Sequence, residues 1–244
     1  MSEKVHNYSI KKGKRSKNTY KCDLCKKKYK TEGGLLFHKC ENKIRLNSKE
    51  ELFSRIGFMA YLKFYETLQC AKQRKKPIRF EEFITSRYYN GFIKFGHYVA
   101  DMKMLEPEKY IDFLIKNNVP LDKWTKDSMY EIYISQKVKN EKPDYAIEKS
   151  LKTMQKWADE HQESWDTYFE KAGQMRIVSN LRTGKISPWL VYNTKSGKRF
   201  LATLTDKDVS CMYKIIDPEY WQYAFKKHSQ ETKAISSVLK SAGL

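Results

Sequence analysis

Apolar positions fall at helical spacing along most of the chain. From Ser48 onward, Leu52, Ile56, Met59, Leu62, Tyr65 and Leu68 recur every three or four residues, the period of a helix with one buried face. Ser48 and Glu51 precede that run at the spacing of a capping box, and Lys76–Pro77 ends it. The segment FEEFITSRYYNGFIKFGHYVADMKM predicts two short helices with a break at Asn90–Gly91. EPEKYIDFLIKNN predicts a helix with Pro107 in its first turn, and DKWTKDSMYEIYISQKV predicts another. Two more fall within residues 144–182, and DPEYWQYAFKKHSQETKAISSVLKS closes as a helix with Gly243 past its end. The pattern changes at PWLVYNTKSGKRFLATL, where aromatic and β-branched residues flank Ser196–Gly197. That predicts a β-hairpin near residues 188–204. The body, residues 48–244, is therefore expected to be mainly α with a small β-hairpin.

Residues 1–18 are different. They are polar, carry the basic block KKGKRSK, and read as a flexible arm. Nowhere does the chain approach the ~18 consecutive apolar residues of a membrane-spanning helix. The first residues also lack the apolar stretch of a signal peptide. The expectation is a soluble protein of the cytoplasm with no membrane partner.

Charge sharpens this picture. The chain holds 48 Lys and Arg against 29 Asp and Glu, a formal charge of +19. Residues 1–47 alone hold 14 against 4, or +10. So uneven a field localises a contact surface for an anionic partner. Nucleic acid fits it best, with DNA placed ahead of RNA and both ahead of an anionic membrane surface. The residues expected at the phosphates are Lys11, Lys12, Lys14, Arg15 and Lys17 of the arm. Lys21, Lys26, Lys27, Lys28, Lys30 and Lys39 follow in the next segment.

Cysteine usage points to a metal. Cys22, Cys25 and Cys40 crowd together, while Cys70 and Cys211 lie far off. That is no disulfide framework; it reads as one metal site plus two buried thiols in a reducing compartment. Cys22 and Cys25 at a Cys-x2-Cys spacing aim two thiolates at one ion, and His38 reaches it from a following helix. Residues 20–38 run Tyr-x-Cys-x2-Cys-x3-Tyr-x5-Leu-x2-His, which resembles the C2H2-type zinc finger at every position. The resemblance implies a ββα module over residues 19–43 that binds Zn2+ and appends to the helical body. It departs after His38, because Cys40 is the only residue offered as fourth ligand. Residues two apart on a helix face opposite ways. Either the helix ends near His38–Lys39 and Cys40 turns inward, or water completes the site.

The finger lacks the side chains that read bases. In the family, base contacts come from three helix positions, here Thr31, Gly34 and Phe37. None is Arg, Lys, Asn or Gln, the bidentate readers. The lysines suit phosphates, and contacts of that kind position without specifying sequence. Phe37 is free to dock the finger on the body or on another protein.

Other features are plainer. RYYNGFIKFGHY fits core packing better than a stacking platform, and the Lys195, Lys198 and Arg199 tip fits an exposed turn. His161 and His228 sit among polar residues on helices. No Gly-rich phosphate loop, catalytic triad or dense carboxylate cluster is visible, and no small-molecule substrate is implied. Three functions compete. The first is a non-enzymatic nucleic-acid-binding accessory protein whose body docks a protein partner. The second is a protein–protein adaptor acting through Leu36 and Phe37, and the third is a nuclease with dispersed carboxylates. The finger with its Lys/Asn/Tyr-rich body, in segments such as LLFHKCENKIR, is similar to accessory zinc-finger proteins of large tailed bacteriophages. That resemblance implies a viral protein acting in the host cytoplasm.

Overall fold

A computed structural model of the chain describes residues 19–67 and 77–241. The chain forms two compact units that divide between His97 and Tyr98. The finger therefore shares a unit with the helices that follow it. The expected arm and Cys70 lie outside the described residues.

The first unit opens with an antiparallel pair, β1 (Tyr20–Lys21) and β2 (Lys28–Tyr29). Helices α1 (Glu32–Leu36), α2 (Glu41–Asn47), α3 (Leu52–Thr67), α4 (Phe80–Thr85) and α5 (Tyr89–Asp101) follow, the last turn of α5 lying beyond the division. Its core is aromatic: Phe80, Phe83, Tyr89, Phe92 and Phe95 are buried with Ile56, Ala60, Tyr61 and Ile84. Glycines let α3 and α5 meet backbone to backbone. A Cβ on Gly96 would lie 2.0 Å from the Phe53 carbonyl oxygen, and one on Gly57 would lie 2.7 Å from that of Phe92. Phe53 and His97 stack beside this crossing at 3.9 Å.

Two local expectations change here. Ser48 does not cap α3. It is the C-cap of α2, with its N–H on the Ile44 carbonyl and its hydroxyl on that of Arg45 at 2.9 Å. The break before α5 falls at Ser86–Tyr88, because the Ser86 hydroxyl accepts from the Tyr88 N–H at 3.1 Å. Asn90 and Gly91 thus sit inside the first turn of α5.

Among the described residues, the regular elements of the second unit are all helices. It comprises α6 (Pro107–Lys116), α7 (Asp127–Asn140), α8 (Pro143–His161), α9 (Tyr168–Lys171) and α10 (Gln174–Arg182). These are followed by α11 (Pro188–Asn193), α12 (Lys195–Ala202), α13 (Asp206–Ile216), α14 (Pro218–Lys227) and α15 (Ser229–Ser241). Pro107, Pro143, Pro188 and Pro218 each occupy a first turn, where the missing N–H costs nothing. Helix α11 lies centrally, packed on α8, α12 and α15. The buried Trp124 and Trp221 indoles donate to the carbonyls of Val119 and Ile215 at 2.8 and 2.6 Å. A buried ion pair, Lys149–Glu141 at 2.6 Å, joins α8 to the residue after α7. Burial pushes the Lys149 ammonium down in pKa, against the attraction of Glu141.

The β-hairpin expected near residues 188–204 is not formed; α11 and α12 occupy that stretch. Ser187 caps α11 by accepting from the Trp189 N–H at 3.3 Å, and Thr194 caps α12 by accepting from the Gly197 N–H at 3.1 Å. A Cβ on Gly197 would lie 2.5 Å from the Val191 carbonyl oxygen, so glycine lets the helices turn tightly upon each other. Lys195, Lys198 and Arg199 are exposed on α12, and Arg199 pairs with Glu170 at 2.9 Å. The closing helix is two helices that break at His228. Cys211, expected to be buried, is exposed: α13 buries Met212, Ile215 and Ile216, and Cys211 points off that face. His161 stacks on Trp157, its Nδ1–H donating to the Trp157 carbonyl at 2.9 Å.

Candidate metal centre

Each side chain that could hold a metal is placed by its own local element. Between β1 and β2 the chain makes a tight knuckle. The Cys22 N–H bonds the Lys27 carbonyl at 3.0 Å, and the Lys26 N–H bonds the Cys22 carbonyl at 2.9 Å. Lys26 takes a left-handed conformation there, with φ 61°. Thr31 then caps α1 by accepting from the Gly34 N–H at 3.1 Å. Helix α1 stops at Leu36, with Phe37 as its C-cap. Cys40 follows as the N-cap of α2 and so lies on no helix face. The early stop of α1 is the condition that lets Cys40 turn back toward the other ligands. Asn42, in the first turn of α2, donates to the Leu24 carbonyl at 3.1 Å and holds α2 against the knuckle.

The result is a Cys3His cluster. One donor atom from each of Cys22, Cys25, His38 and Cys40 lies within 4.8 Å of every other. A tetrahedral zinc ion has Zn–S bonds of ~2.3 Å and Zn–N bonds of ~2.05 Å, which separates its ligands by ~3.8 Å (S···S) and ~3.6 Å (S···N). The Cys22 and Cys40 sulfurs are 3.8 Å apart, and Cys25 Sγ is 3.7 Å from His38 Nε2. The donor set and its spacing fit a metal ion such as zinc.

The surroundings prepare these groups. His38 Nδ1 hydrogen-bonds the Leu35 carbonyl. A carbonyl only accepts, so the ring proton sits on Nδ1 and the Nε2 lone pair faces the cluster. Buried Leu35, with Cys22, Cys40, Tyr20, Leu24 and Tyr29, forms a small apolar core round the donors. Burial pushes the Cys22 thiol up, but the N–H groups of Cys25 and Leu24 and the neighbouring thiols outweigh it, leaving Cys22 at about 7. Burial keeps Cys40 raised, and its contact with Cys22 adds to that.

The lysines of the finger lie on its outside. Lys21, Lys26, Lys27, Lys28, Lys30 and Lys39 are all exposed, and none enters an ion pair among the described residues. Tyr20 pairs with Tyr29 across the hairpin, and Lys21 with Lys28. The tyrosines pack on the cluster, so alternation along the strands turns Lys21 and Lys28 outward together. Lys11, Lys12, Lys14, Arg15 and Lys17 lie outside the described residues. Phe37 is 89% exposed and is therefore not docked on the described body. Thr31 is engaged as a cap, which leaves the base-reading positions barer than the sequence suggests.

Sequence reasoning missed Arg45. It donates to the Ile84 carbonyl at 2.6 Å, lies 4.2 Å from the Tyr89 ring centre and pairs with Glu41. Through it, α2 and the metal knuckle are tied to α4 and α5. Only the Glu41–Arg45 spacing of four hinted at a role. No family model, no curated protein and no solved structure matches this chain, so the likeness to bacteriophage accessory proteins gains no support from comparison.

Proposed function

We propose that the chain is a non-enzymatic nucleic-acid-binding accessory protein. A structural Zn2+ centre, held by Cys22, Cys25, His38 and Cys40, displays a lysine surface to the phosphate backbone, and the helical second unit docks a protein partner. The observation that carries this reading is the Lys21–Lys28 pair. Like charges placed directly opposite across two strands repel. Neither lysine has an anionic partner among the described residues, and both are exposed. A row of phosphates supplies the missing counter-charge.

Four side-chain donors complete a tetrahedron and leave no position for an activated water, which favours a structural over a catalytic role for the metal. When bound, zinc supplies folding free energy to a hairpin and short helix whose own core is very small. Thiolates of this kind persist in a reducing cytoplasm. The test is a salt titration of full-length, metal-loaded protein against duplex DNA, single-stranded DNA and RNA. Affinity is expected to fall steeply with salt and to vary little with sequence. Tight binding of one sequence at high salt, or no binding to any of the three, would overturn the reading.

A further inference from the structure

We infer that the finger unit takes single-stranded nucleic acid, with Phe37 as the surface on which an unpaired base stacks. This rests on the phosphate-binding reading above and adds the class of strand to it. An exposed phenylalanine is costly to leave in water, and Phe37 is 89% exposed, with Leu36 beside it at 56%. Helical side chains lie over the turn that precedes them. The residue one turn before Phe37 is Gly33, and a Cβ there would meet nothing within 4 Å. No side chain covers that glycine, and at 89% exposure the Phe37 side chain is open to a flat partner.

The backbone that carries the ring is held in place. The Phe37 N–H bonds the Gly33 carbonyl at 3.0 Å. The next residue is His38, fixed by its Leu35 bond and its place in the cluster. A backbone so fixed has little freedom to lose when a base lands on the ring, which leaves only the two side-chain torsions to be ordered. The segment that carries it is basic as a whole: across residues 20–40 six exposed lysines, Lys30 and Lys39 among them, stand against the exposed acids Asp23 and Glu32.

Duplex DNA presents no base face to such a ring, because its bases already stack on each other. Edge reading is closed as well, since Thr31 is bonded to Gly34 and neither Gly33 nor Gly34 has a side chain. Basic residues beside an accessible aromatic face are the pairing that binds single strands with little sequence preference.

The test uses full-length, metal-loaded protein and fluorescence anisotropy. The probes are a labelled mixed-sequence single strand of about 20 nucleotides, longer than one site, and the duplex of the same sequence. F37A is expected to weaken single-strand binding about 10-fold and duplex binding less than about twofold. F37W should keep the wild-type affinity, and F37L should behave like F37A. Equal effects of F37A on both probes, no effect on either, or full activity of F37L would overturn the inference and leave Phe37 as an apolar contact for a protein. Failure of the wild-type chain to bind either probe would overturn the phosphate-binding reading itself.

Discussion

Arg45 lies with its guanidinium 4.2 Å from the centre of the Tyr89 ring, and it donates to the Ile84 carbonyl at 2.6 Å. These contacts make the finger part of a larger unit and not an appendage on a tether. The Arg45 side chain is only 17% exposed, while its ion-pair partner Glu41 is 73% exposed. The energy therefore resides in the carbonyl and the ring. R45A is expected to destabilise the first unit by about 2 kcal/mol, and E41A by ~0.5 kcal/mol or less. Urea midpoints for the two variants check this, and equal losses would show that the surface ion pair carries the link.

The metal centre makes its own prediction. One divalent ion should bind per chain, and cobalt in its place should give the absorption of a tetrahedral thiolate site. C40S should weaken metal binding at least ~100-fold, more than loss of a group that merely supports a ligand. Chelation should raise amide exchange across residues 20–40 while α3 and α5, held by their glycine crossing, stay protected. A C40S protein with unchanged affinity would mean that water, not Cys40, completes the site.

The site was more legible in the sequence than the fold around it, for a physical reason. A metal accepts only certain donors at certain distances, so Cys22, Cys25 and His38 stand at offsets that few other constraints produce. Cys40 was readable only as a condition on where α1 ends, and the chain meets that condition by stopping at Leu36. The stretch from Pro188 to Val191 misled because it is buried all round. A helix without a polar face shows neither period, and its β-branched and aromatic residues then suggest a strand. Helix α2 escaped notice because it contains no buried residue; its place is set by Asn42 and Arg45, polar groups whose partners lie far along the chain. Ser48 and Glu51 matched a cap by spacing alone, while the backbone used Ser48 to end the preceding helix.

The second unit contains a polar commitment of its own. Lys149 and Glu141 are paired at 2.6 Å with side chains only 5% and 3% exposed, and the other Glu141 oxygen, Oε1, has no partner. Removing one charge strands the other in the interior. E141A is expected to cost about 3–5 kcal/mol, whereas the double variant E141L/K149M should lie near wild type or above it. Thermal or urea unfolding of the three proteins compares them. A double variant as unstable as E141A would show that the pair is a net source of stability.

The most direct test of the whole account is the salt dependence of binding when Lys21 and Lys28 are removed together. Each phosphate contact contributes about 0.9 to the slope of log affinity against log salt on duplex DNA. If the outward pair holds phosphates, K21A/K28A should lower that slope by about 1.8 on a duplex, with the metal site and the fold unchanged. An unchanged slope with wild-type affinity would contradict the account, because the paired lysines of the hairpin would then face no phosphate at all.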